Sequence, residues 1–230
     1  MPRIPVINNA VLFESDEAAK AAFDRKIAEA AFDIGFMVVI GYLSDIKVGV
    51  AERRKLLKLF DLPQDAQRPY WKRNFAPENP HIYRGWFPLS SSPTGGREGY
   101  EIGPDIVRDL PIDQSDDLLY EATPLPDSAL LPEGWRETAA EYYLGAEKVG
   151  QNLLASLSRS LGIDENIFAD AFDDGISTLR LLHYPGRENI VPDGSNRYVE
   201  HGGRTFEAVA RAHVDSGLLT VLATCGVGGL

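Results

Sequence analysis

The apolar residues of this chain change their spacing part-way along, and that change limits the folds open to it. In the front part they recur every three or four positions, the period of a helix with one buried stripe; beyond Thr178 they gather into short runs of strand length. Ser15-Asp16-Glu17 offers an N-cap and an acidic first turn. The stripe Ala22, Phe23, Ile27, Ala30 and Ile34 follows, and Gly35 ends it. The run Phe36 to Ile40 reads as a buried strand, and Ile4 to Ile7, interrupted by Pro5, reads as an edge strand. A second helix is expected from about Ser44-Asp45 to Phe60, with Val48, Leu56, Leu57 and Leu59 inward and Pro63 as its stop. Residues 63–132 are rich in Pro, Gly, Ser and Asp and read as irregular with short strands. A long helix is expected over 133–161, its stripe including Ala139, Tyr143, Ala146, Val149, Leu153, Leu154 and Leu157, with Gly162 as cap. After a short acidic helix at 165–172, strands are expected at 178–184, 208–212 and 218–224, and a polar loop or hairpin at 186–206. Helices first and strands afterwards imply α+β rather than alternating α/β.

Composition narrows the partners. Apolar residues make up 44% and charged residues 25%, ordinary for a folded soluble protein. The net charge of −11 repels phosphate backbones and anionic membranes, so no nucleic-acid or membrane partner is expected. Cys225 is the only cysteine and reads as a small buried hydrophobe; no intrachain disulfide can form, which suits a reducing, cytoplasmic compartment. The sequence does not disclose the oligomeric state.

The chemistry concentrates at His213-Val214-Asp215. If the segment ends a strand, alternation puts both side chains on one face. An imidazole nitrogen and a carboxylate oxygen make two thirds of the 2-His-1-carboxylate triad, which holds Fe(II) on one face and leaves the others open.

The residues around this pair resemble the metal-binding segment of the isopenicillin N synthase-like family of Fe(II)- and 2-oxoglutarate-dependent oxygenases, in which His-x-Asp, a short turn and a Leu-Thr-rich strand recur together (here His213 to Leu222). Further resemblances run in the family's order. They are Ile4-Pro5-Val6-Ile7, Gly35 to Tyr42 (with Tyr42 where the family has His), Phe60-Asp61-Leu62-Pro63, Arg84-Gly85-Trp86 with Arg97 to Gly103, and Leu179 to Pro185.

The resemblance implies a double-stranded β-helix, a jelly-roll-like barrel with an N-terminal helical region (1–132), a supporting helix (133–162) and the first part of the barrel core (176–230). It implies Fe(II), O2 and 2-oxoglutarate as cofactor and cosubstrates, a small-molecule substrate oxidised at a C–H bond, and release of succinate and CO2. His213 and Asp215 match the first two metal ligands. Tyr184 matches the tyrosine whose hydroxyl helps to hold 2-oxoglutarate; Leu182 stands where plant members often have Asn, and leucine cannot donate a hydrogen bond. His183 should point away from Tyr184. Arg84, Trp86 and Arg97 lie in the irregular region expected to face the mouth, where an arginine could clamp a substrate carboxylate; the competing reading is a structural ion pair.

The family's third ligand, a later His, and its Arg-x-Ser have no counterpart: none of residues 216–230 is His or Arg. The 230 residues therefore read as a family domain without its C-terminal part, and as such could be inactive alone. Two alternatives stay open: an iron oxidase of the same fold that does not use 2-oxoglutarate, and a non-catalytic binding protein.

Overall fold

The computed structural model describes residues 3–13, 16–42, 45–89, 96–111, 117–173, 175–186, 198–207 and 213–226. The chain divides into two compact units: residues 1–53, 136–177 and 219–230 in the first, and 54–135 and 178–218 in the second. Among the described residues no helix is long and apolar enough to cross a membrane.

The first unit is built on helix α1, Glu17–Asp33. Its N-cap is Asp16, whose carboxylate accepts from the backbone N–H groups of Ala18 (2.9 Å) and Ala19 (3.1 Å); Ser15 lies outside the described residues. The helix ends where the N–H groups of Ile34 and Gly35 both turn back to the Ala30 carbonyl. Strand β1 (Val6–Asn8) pairs in parallel with β2 (Val38–Ile40). The core collects Ile7, Phe23, Ile27 and Ala30 with Val149 and Leu153 of helix α4, Trp135–Ser160. The anticipated stripes of both long helices therefore do meet. The run Phe36 to Ile40 is not a buried strand: Phe36, Val38 and Ile40 are exposed and only alternate residues turn inward, because the two-stranded sheet is covered on one face.

A polar connection adds to this core. Asp24, buried on α1, accepts from Ser156 Oγ at 2.5 Å and from Arg159 Nε and Nη2, both at 2.8 Å; Arg159 also donates to Glu165 at 2.7 Å. Those hydrogen bonds, Asp24's first, hold Arg159 in its charged form well above the usual arginine range.

The expected second helix is shorter than its apolar pattern: α2 covers Val50–Leu56 and the chain tightens into a 3₁₀ turn, Leu57–Asp61. Its anticipated cap, Ser44, lies outside the described residues. A one-turn helix α3, Gln64–Gln67, follows Pro63. The acidic stretch 165–172 forms turns and a 3₁₀ segment, Asp170–Phe172, rather than a helix.

The second unit carries an antiparallel sheet in the order β3-β4-β5: Gly85–Phe87, Glu98–Ile102 and Leu179–His183. Trp86 stands opposite Tyr100, and Tyr100 opposite Leu181. That face is packed: the Phe60 ring meets Trp86 edge-on at 5.3 Å and Trp86 meets Tyr100 at 5.8 Å. Gly85 can only be glycine, with φ +97° and the Tyr70 carbonyl and Pro124 ring where a Cβ would go, 2.6 and 2.8 Å away. Gly85→Ala is expected to lose about 2–3 kcal/mol in urea denaturation, from backbone strain and overlap together.

The loop before β3 is tied by one side chain. Glu121 accepts from the backbone N–H groups of Ile82 (2.8 Å), Tyr83 (2.7 Å) and Arg84 (2.7 Å). Glu121→Ala strands three donors and should cost about 2–3 kcal/mol on the same measurement, with Glu121→Gln costing less because one acceptor oxygen remains.

A hairpin follows, β6 (Tyr198–His201) and β7 (Arg204–Glu207), joined at Gly202-Gly203 with both φ positive, as a two-residue type I′ turn requires. The strand expected at 208–212 lies outside the described residues. The strand expected at 218–224 is not formed: this stretch has no regular structure, its residues are exposed, and Cys225, expected to be buried, is exposed too. An apolar run becomes a strand only when a neighbour pairs with it, and none of the described residues does.

Candidate functional site

His213 and Asp215 are adjacent in space as in sequence. His213 Nε2 lies 3.0 Å from Asp215 Oδ1, and both side chains are more than half exposed, at 61% and 55%. The segment is not a strand; the chain bends after it at Gly217, with φ +102°, and Val214, between the two side chains, is exposed. The spacing suits shared coordination: two cis donors at bonds of about 2.1 Å on an octahedral cation stand about 3.0 Å apart. The donor types, imidazole and carboxylate, suit divalent iron. The pair thus fits two positions of such a centre. Among the described residues, no group of three His, Cys, Asp or Glu side chains comes together to complete one.

The other anticipated site residues divide into two sets. Arg84 is wholly buried; its Nη1 donates to Thr178 Oγ1 at 2.5 Å, its Nη2 to the Leu119 carbonyl at 2.7 Å, and its guanidinium lies 4.8 Å from the Tyr83 ring centre. It clamps loops of its own unit, so the expectation that it faces a mouth is corrected. Trp86 is also fully buried, with Nε1 donating to Glu98 Oε2 at 3.1 Å, and belongs to the packed face.

Arg97 and Tyr184 behave differently. They immediately precede β4 and follow β5, on the sheet face opposite Trp86, and they meet: Arg97 Nη1 is 3.4 Å from the Tyr184 hydroxyl. Tyr184 is 41% exposed and Arg97 half-buried. Alternation sends His183 the other way, where Nδ1 lies 2.8 Å from Glu98 Oε1 and the ring packs 5.3 Å from Phe60.

Sequence reasoning missed a charged cluster beside this pair. Glu101, buried, accepts from Lys72 and from Arg180, whose Nε lies 2.7 Å away. The partners are 29 and 79 positions from Glu101, and no local period could have announced them.

No protein-family model matches the chain. Two curated relatives align along almost all of it: a 2-oxoglutarate-Fe(II) type oxidoreductase, hxnY, of Emericella nidulans (25% identical, 98% of this chain, 62% of the relative) and isopenicillin N synthase of Penicillium chrysogenum (27% identical, 99% of this chain, 67% of the relative). The chain thus spans less than two thirds of the length of hxnY. Among solved structures, a full-length Neurospora crassa protein in complex with alpha-KG and 5-formyluracil superposes with a TM-score of 0.61 at 25% identity, over 79% of this chain and 52% of that one. In the His-x-Asp pair, the ordered motifs from Ile4 to Leu222 and the alignment with these relatives, the chain is similar to the isopenicillin N synthase-like family of Fe(II)- and 2-oxoglutarate-dependent oxygenases.

Proposed function

We propose that the protein is a non-haem Fe(II)- and 2-oxoglutarate-dependent oxygenase of a small organic molecule, with His213 and Asp215 as two of its three iron ligands on a double-stranded β-helix. The observation that carries this reading is the convergence of an imidazole nitrogen and a carboxylate oxygen at the 3.0 Å separation of two cis ligands. The relatives named for 2-oxoglutarate and Fe(II), and the alpha-KG bound to the Neurospora crassa protein, support it.

Bound iron would supply the capacity to couple O2 and 2-oxoglutarate to oxidation of a substrate C–H bond. The protein's own work is positional. His213 Nε2 and Asp215 Oδ1, 3.0 Å apart, would hold the cation between them. Tyr184 offers a hydroxyl to the cosubstrate, and Leu182, on the same face, offers no hydrogen bond, so Tyr184 takes that task without the help of an amide. Arg97, beside it, supplies positive charge for an anionic group.

The reading is tested by anaerobic titration of the protein with Fe(II) and then 2-oxoglutarate. A visible charge-transfer band that appears only when both are present is expected, and its absence would refute iron chelation of the cosubstrate.

A further inference from the structure

We propose that α1 and the end of α4 form the contact face of a weak, two-fold symmetric homodimer, in which Arg25 of each copy lies over an apolar groove of the other and reaches Glu29 and Asp33 on its rim. The inference goes beyond the oxygenase reading and does not depend on it.

The groove lies between the C-terminal ends of α1 and α4, both in the first unit. Its volume is about 510 Å³, and Ala28, Ala31, Phe32, Leu157 and Leu161 give it an apolar wall. Phe32 is 92% exposed and Leu161 65%. One exposed apolar side chain is ordinary on a folded protein, but two large ones at the mouth of a groove make a patch that association would cover. The carboxylates of Glu29 and Asp33 stand on the rim. The groove therefore suits an occupant with an apolar stem and a cationic head, as arginine and lysine have.

Helix α1 carries that occupant itself. Arg25 and Lys26 are exposed and lie one to two turns before Glu29 and Asp33, so the surface charge of the helix runs from basic to acidic along its length. Among the described residues the ion pairs of α1 are Lys20 with Glu17 and Asp24 with Arg159; Arg25, Lys26, Glu29 and Asp33 have none. Two such helices laid parallel set like charge on like. Laid antiparallel they set basic on acidic, and antiparallel is what a two-fold axis across the helix produces. The net charge of −11 repels a second copy in general, so a contact face needs opposite charges in register.

The register follows from size. Ala21, Arg25, Ala28 and Phe32, at spacings of four, three and four, share the outer side of α1. Setting Phe32 on Ala21 of the other copy matches a large side chain to a small one. The same register brings Arg25 over Ala28 of that copy, at the groove and one position from its Glu29. There the Arg25 stem covers apolar wall, its guanidinium meets carboxylates, and the exposed Phe32 ring offers its face to the cation. The two-fold axis makes every contact twice. One helix pair stands at the small end of protein interfaces, where association is transient, so a Kd of about 10–100 µM is expected.

The test is sedimentation equilibrium of the protein at concentrations reaching about tenfold either side of that range. The average mass should climb from the 25.3 kDa of one chain towards twice that value. Phe32→Ser and Arg25→Glu, each checked for native circular dichroism and an unchanged urea midpoint, should each weaken association about tenfold or more, because symmetry counts each change twice. Arg25→Glu combined with Glu29→Arg in one chain restores opposite charges across the axis and should recover most of the loss caused by Arg25→Glu. A protein that stays monomeric at the highest concentration, a dimer indifferent to both single substitutions, or a double variant no better than Arg25→Glu alone would overturn the proposal. The first outcome would leave the groove to a different partner, and the second would put the dimer contact on another face.

Discussion

Replacing His213 by alanine is expected to lower Fe(II) affinity more than about 100-fold, read by equilibrium dialysis with ferrozine detection, while leaving the urea midpoint unchanged. The two halves of this expectation have separate causes. Substituting groups that merely support metal ligands typically costs about 10–100-fold in affinity, so removing a ligand itself should cost more. The His213 side chain is 61% exposed in a segment without regular structure, so its loss removes little packing, and surface changes of this kind fall within about 0.5 kcal/mol. Asp215→Ala should behave alike, since its side chain is 55% exposed. A fall in stability equal to that of a core substitution, with iron binding retained, would mean that the pair is part of the fold and not of a metal site.

The largest effect on stability is expected from Asp24→Ala. Its carboxylate accepts three hydrogen bonds in the first unit, one from buried Ser156 and two from Arg159. Breaking a buried pair by removing one partner strands the other charge and costs about 3–5 kcal/mol. Arg159 is a third exposed and keeps Glu165, so the lower end, about 3 kcal/mol, is expected. The measurement is the urea midpoint at constant slope. Asp24→Asn retains an acceptor for Ser156 and should lose less; if both variants unfolded at the wild-type midpoint, the network would contribute nothing to holding α1 on α4.

These two sites differ in how far the sequence discloses them. The long helices are legible because burial imposes a period: Phe23, Ile27 and Ala30 on α1 and Val149 and Leu153 on α4 enter one core. The charged residue within that stripe is not legible. Nothing local distinguishes Asp24 from a solvated aspartate, because Ser156 and Arg159 are 132 and 135 positions away. The same holds for Arg84 and Trp86. Their residue types suit a ligand clamp, but Thr178, 94 positions from Arg84, and Glu98, 12 from Trp86, turn them into the fold. Arg97 has no such partner among the described residues and stays at the surface, next to Tyr184.

Strands fare worse than helices for a related reason. A helix satisfies its own backbone, whereas a strand needs a neighbour. The run from Leu218 to Thr224 has strand composition, yet its residues are exposed and unpaired with any described strand. The hairpin β6–β7 carries its partner within a few residues, and its Gly202-Gly203 turn, inside the polar stretch read as a loop or hairpin, is visible in the sequence. His213 and Asp215 were legible as a pair because their chemistry needs only each other's spacing, which two intervening peptide bonds supply.

The most direct test of the oxygenase account is the conversion of 2-oxoglutarate to succinate by the protein under O2, measured against Fe(II) concentration. The account predicts succinate formation that saturates with Fe(II), falls to the metal-free blank when the iron is chelated, and is lost in the His213→Ala variant. Succinate that never rises above the blank in a natively folded, iron-supplemented protein, or that forms equally in His213→Ala, would contradict it.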